Sequence, residues 1–173
     1  MLRKTIQLSG MICLAVVALL GMRVPAIAGD AAETAAILQQ IQANALDIQQ
    51  HAARIKSNLR VPESIHWKTH SFELSRIQER TNDIAELLGK FKQMESSALP
   101  RQKKAFNRIV TEAAPLSNAV EKAINYLDQN RGKVWGSEYE EWANDIYDRA
   151  DQITQTVNLA ETLAEVKELA NKS

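Results

Sequence analysis

Cysteine is nearly missing from this chain, and the one copy is not in the part expected to fold. Cys13 lies in an amino-terminal stretch that reads as a secretory signal. Arg3 and Lys4 supply the charged start, Met11 to Met22 the apolar run, and Ala26-Ile27-Ala28 a small-x-small cleavage site. The run is shorter than the roughly 20 residues a spanning helix needs, so the reading is cleavage on export with no transmembrane anchor left behind. Ile12 precedes Cys13 where a lipid-attachment signal carries a small residue, which argues against a lipoprotein. The expected organisation is a signal peptide over 1–28 and one domain over 29–173, located in the periplasm, in the cell envelope or outside the cell. Without Cys13 that domain has no disulfide, no thiolate-held zinc or iron–sulfur cluster, and no covalently attached haem.

An excess of either charge is missing too. The full chain balances 21 basic against 21 acidic residues, and removing Arg3, Lys4 and Arg23 leaves 18 against 21, a net charge of −3. That gives no field for nucleic acid or an anionic membrane. Glycine and proline are sparse, at six and four residues. There is no glycine-rich phosphate loop, no Ser-His-Asp arrangement in turn chemistry, no strand pattern and no solenoid repeat.

What is present is apolar spacing at steps of three and four. Ala31, Thr34, Leu38, Ile41, Ala45, Ile48, Ala52, Ile55 and Leu59 form one stripe, opened by Asp30 and Glu33 as a capping box. Val61-Pro62 ends it, and Pro62 is placed to open a second helix with the stripe Trp67, His70, Leu74, Ile77, Thr81, Ile84, Leu88 and Phe91. Gly89 weakens or bends its last turns. His70 and Thr81 fall on the buried seam and need partners, since an unpaired buried polar group costs about 1 to 3 kcal/mol.

After Ser96-Ser97 and Pro100 the third stripe runs Leu99, Gln102, Phe106, Ile109, Ala113, Leu116, Val120, Ala123 and Leu127, with Pro115 predicting a kink near 111–115. A fourth, capped by Ser137 with Glu140, runs Tyr139, Ala143, Ile146, Ala150, Ile153, Val157, Ala160 and Ala164. Short connections between four long helices give an all-α, antiparallel up-down-up-down four-helix bundle with a proline kink in helix three.

That topology gathers His51, His66, His70, Trp67, Phe72, Tyr126, Trp135, Tyr139 and Trp142 at one pole. Aromatics plug a splayed bundle end in the plain reading; in the functional one, Trp67, Tyr126, Trp135, Tyr139 and Trp142 line a site for a protein partner or small ligand. An alternative uses His51, Glu63, His66, His70 and Glu73 to hold a divalent transition metal or haem, His66 and His70 sitting four apart on one helical face. Glu63-x-x-His66 looks like half of a ferritin-like di-metal bundle, but a second Glu-x-x-His is missing. Pairing Ile37 with Leu87 across the first hairpin sets His51 level with Glu73 and Asn58 level with His66, so the histidines also have structural partners. At the other pole Lys90, Lys92, Arg101, Lys103, Lys104 and Arg108 share the end with Glu161, Glu165 and Glu168, reading as a solvated, partly compensated surface, with a basic docking patch as the alternative.

Taken together, Trp67, His70, Ile77, Asn82, Leu88, Pro115, Ala123, Asn130, Trp135 and Tyr139 resemble the pattern of small secreted bacterial helical proteins of no assigned function. The resemblance implies an exported, cysteine-free helical domain and supplies no activity, cofactor or catalytic residue. The favoured function is an exported, non-enzymatic binding protein, with the metal- or haem-binding bundle as the alternative and self-association through an exposed seam as a further possibility.

Overall fold

The computed structural model describes residues 26–60, 66–131 and 136–172, with side chains described between 31 and 162. The described residues contain four long α-helices and no strand: α1 (Ala26–Leu59), α2 (Trp67–Met94), α3 (Pro100–Gln129) and α4 (Ser137–Lys172). None of them is long and apolar enough to cross a membrane. The expected signal run at 11–22 lies outside the described residues, and the candidate cleavage site falls at the start of α1.

Each helix buries the middle of the stripe its spacing predicts, with Trp67, Leu88 and Ala113 half-buried and Ala164 outside the described side chains. Ile41, Ala45, Ile48, Ala52 and Ile55 of α1, Leu74, Ile77 and Ile84 of α2, Ile109, Leu116 and Ala123 of α3, and Ile146, Ala150, Ile153 and Val157 of α4 are all essentially inaccessible. They form one core along the bundle axis. Alanines recur in three of these seams, which lets the backbones approach closely, since interaxial distance follows the side chains at the contact.

Cross-helix partners run in opposite order along three of the adjacent pairs. On α1 and α2, His51 meets Glu73 and Asp47 meets Arg80. On α1 and α4, Gln42 meets Asn158 and Gln49 meets Asp151. On α3 and α4, Glu112 meets Arg149 while Tyr126 stacks on Tyr139. Phe91 and Phe106 stack at 4.5 Å across the α2–α3 turn. Sequence neighbours therefore lie antiparallel and α4 returns beside α1, the arrangement short loops impose.

The helix starts differ from the sequence expectation in three places. α1 is already helical at Asp30, so Asp30 does not cap it. α2 opens at Trp67, with extended His66 as its N-cap and no side-chain cap; Pro62 lies outside the described residues. Gly136 takes the first carbonyl position of α4, accepting from Glu140 N–H at 3.2 Å, which puts Ser137 inside the helix.

The start of α3 shows a device that the spacing did not reveal. Leu99 is its N-cap and has no side-chain acceptor, but Gln102 Oε1 reaches back to accept from Leu99 N–H at 2.7 Å. Gln102 Nε2 donates to Ala31 O at 2.9 Å, and Thr34 Oγ1 lies 3.0 Å from Gln102 Oε1, tying α3 to α1 across the bundle. Thr81 is satisfied within its own helix, donating to Ile77 O at 2.8 Å. α2 runs through Gly89 and α3 stays helical through Pro115, which offers no N–H to the preceding turn.

Candidate functional site

The last turns of α1 and α3 and the first turns of α2 and α4 share one pole, and there the structure builds an aromatic group that reaches His70 through Tyr139. The His70 ring is fully buried. Its Nδ1 lies 3.0 Å from the Tyr139 hydroxyl, itself inaccessible, with ring centroids 5.5 Å apart. Tyr139 stacks on Tyr126 at 5.7 Å, and Tyr126 meets Trp142 edge-on at 5.7 Å. Offset and edge-to-face arrangements at this spacing are the favourable ones for aromatic pairs.

Burial sets the chemistry of both polar rings. Loss of water pushes the His70 pKa down from its ordinary value, partly opposed by the charge of Glu73, so the imidazole stays neutral. The same loss of water holds the Tyr139 phenol protonated far above its ordinary range. A neutral imidazole has one N–H and one lone pair, and Nδ1 uses one of these on Tyr139. Nε2 keeps the other. It is buried and has no hydrogen-bond partner among the described residues.

Two neighbours complete the pole. The Arg131 guanidinium sits 4.8 Å from the Trp67 ring centroid, a cation–π contact over a half-buried face. Tyr126 packs so closely over Gly136 that a Cβ there would overlap its hydroxyl and come within 2.8 Å of Cζ. No unusual backbone angle is involved, so glycine is needed at that point for close approach. Neither contact had a sequence signal, because both residues read as connection residues between helices.

The histidines do not converge. His51 Nδ1 lies 2.5 Å from Glu73 Oε2, with Arg54 at 3.7 Å from the same oxygen, as the first-hairpin register predicted. His66 is the exposed N-cap of α2, its carbonyl accepting from Thr69 N–H at 2.9 Å, so it does not share a helical face with buried His70. Glu63 and Trp135 lie outside the described residues. Among the described residues no three His, Cys, Asp or Glu side chains come together as a metal-holding group. Phe72 is 56% exposed beside Arg76, away from the packed rings.

Compared with known proteins, the chain matches no family model, no curated protein and no solved structure.

Proposed function

We propose that this chain is an exported, non-enzymatic binding protein whose working end is the aromatic pole. Export rests on the charged start, apolar run and small-x-small site of residues 1–28. Binding rests on one observation: the inaccessible Nε2 of His70 is unpartnered among the described residues, while the ring is held by Tyr139, which stacks on Tyr126 beside Trp142. An unsatisfied buried polar atom costs about 1 to 3 kcal/mol, so retaining it is consistent with a use for it. A small aromatic molecule carrying a hydroxyl suits both the rings and the free nitrogen.

The alternative, a metal- or haem-binding bundle, draws on the same atom, since neutral imidazole is a ligand for zinc, copper and haem iron. His51, tied to Glu73, and exposed His66 would have to move to join it.

Melting of the purified protein separates these readings. It is followed with phenol, indole and 4-hydroxybenzyl alcohol, then with chelator and with zinc, cobalt, nickel, copper or haem in turn. A ligand that binds only the native state stabilises it by about 2.7 kcal/mol at a hundredfold excess over Kd. A rise with the aromatic alcohol that vanishes in His70→Leu supports the proposed site. A rise with metal or haem that vanishes in His70→Leu supports the alternative. No rise with any probe, together with a His70→Leu protein at least as stable as its parent, assigns the histidine to the core.

A further inference from the structure

Two diagonals cross the bundle, and each is tied by a buried polar contact at a different pole. α1 stands opposite α3 and α2 opposite α4, since the large interfaces are α1–α2, α2–α3, α3–α4 and α1–α4. Thr34 and Gln102 join the first diagonal, and His70 and Tyr139 join the second. Among the described residues His70–Tyr139 is the one hydrogen bond between α2 and α4. The first tie is made by an amide and a hydroxyl, neither of which titrates in the acid range. The second holds an imidazole, and the other two histidines of the chain, His51 and His66, lie toward the same pole.

His70 cannot take up a proton without stranding a hydrogen-bond donor. A neutral ring either accepts the phenol proton at Nδ1, leaving Nε2–H without an acceptor, or donates Nδ1–H to Tyr139, leaving the phenol O–H without one among the described residues. Either tautomer strands one donor. The imidazolium strands two, because Nδ1–H must then face the phenol oxygen while Nε2–H and the phenol O–H both lack acceptors. Both side chains are inaccessible, so water does not make up the difference.

The groups around the ring leave it one way out. α1 brings His51 and Arg54, α3 brings Tyr126 behind Tyr139, and the carboxylate whose charge reaches His70 is Glu73, one turn on in α2. His51 and Arg54 both contact Glu73 Oε2, and Oε1 accepts no hydrogen bond among the described residues. The acids in the first turns of α4, Glu138, Glu140 and Glu141, are exposed, as is Asp128, which pairs with Arg131. Loss of water keeps the ring neutral near pH 7, so its charge arrives on acidification.

We propose that His70 is an acid-released latch: on protonation its ring leaves Tyr139 for Oε1 of Glu73, α4 comes away from α2, and the aromatic pole opens while the Gln102 end stays closed. One proton passes from solvent to the imidazole and one diagonal hydrogen bond breaks. Tyr126 and Trp142 pack against each other and onto Tyr139, so the same movement uncovers their rings. The inference rests on the His70–Tyr139 contact and holds with or without a ligand at that pole.

Amide hydrogen exchange of the purified protein at pH 7.5 and pH 5, corrected for the intrinsic pH dependence of exchange, tests this. Protection should fall over 67–77 and 137–146 and hold over 34–45, 102–109 and 150–157, the local opening equilibrium shifting by up to about tenfold per pH unit for one proton. The His70 imidazole, followed by NMR in the unsubstituted protein, should titrate with the same midpoint as the loss of protection. His70→Gln should remove the pH response, His51→Gln and His66→Gln should keep it, and Glu73→Gln should move it to lower pH by withdrawing the acceptor. Should His70→Gln already lower protection at pH 7.5, the shared midpoint in the unsubstituted protein decides. Protection lost equally at both poles is global acid unfolding and overturns the inference. So does a response that survives His70→Gln and vanishes in His51→Gln, or a His70 ring that titrates with no opening.

Discussion

His51 on α1 and Glu73 on α2 close to 2.5 Å in a position where both side chains are largely withdrawn from water. Each therefore protects the other. His51→Ala or Glu73→Ala alone should cost about 1 to 3 kcal/mol, because the survivor is left buried without its partner. A denaturant-unfolding cycle closed with the double variant should show a combined cost smaller than the sum of the two. Strict additivity would mean that the contact contributes nothing.

His70 gives the protein a predictable acid response. Its folded-state pKa lies below the unfolded value of 6.5, so over that interval the unfolded chain binds the extra proton. The stability it permits is complete above pH 6.5 and falls as pH drops below it, by at most about 1.4 kcal/mol per pH unit for one proton. Unfolding free energies measured between pH 8 and pH 5 should show this slope, and His70→Gln should flatten it. An unchanged slope in the variant would place the acid sensitivity elsewhere.

Tyr139→Phe removes the hydroxyl that holds His70 Nδ1 and leaves both imidazole nitrogens unsatisfied. A loss of about 1 to 3 kcal/mol is expected in urea unfolding. His70→Leu with Tyr139→Phe, which removes both polar partners, should recover part of that loss.

Two glycines should answer differently to alanine. Gly89 lies in α2 with nothing within 4 Å of an added Cβ, so Gly89→Ala should raise stability by about 0.5 to 1 kcal/mol through the unfolded-state entropy it removes. Gly136→Ala drives a methyl into the Tyr126 ring and should cost about 1 to 3 kcal/mol, as overpacking does. Thermal melts of the two variants, shifted in opposite directions, check both.

The stripes were legible because they depend only on which residues avoid water, and that preference is written at every third or fourth position from Leu38 to Val157. The His51–Glu73 contact was legible for a related reason: two apolar flank residues, Ile37 and Leu87, fix the hairpin register, and both are buried. Helix starts were not. Asp30 and Ser137 both carry cap signals worth about 1 kcal/mol, an amount that neighbouring packing overrides. His66 was misplaced because α2 begins at Trp67, five residues beyond the start expected at Pro62, which leaves His66 an extended N-cap outside the helical face. Gln102 was legible as a seam residue, but its role in bonding three groups on two segments depends on how close α1 lies to α3, and spacing along one helix carries no such distance.

The seams themselves are almost periodic, and an apolar surface of that kind would tolerate sliding. Moving α4 one heptad along its neighbours would bring Ile146 to the place of Tyr139 and strand the His70 nitrogen against a hydrocarbon. The same slip of α1 would put Ile41 where Thr34 meets Gln102. One polar contact near each end thus works like a pair of dowels, so that shear along the long axis must break a buried hydrogen bond before any hydrophobic contact can re-form.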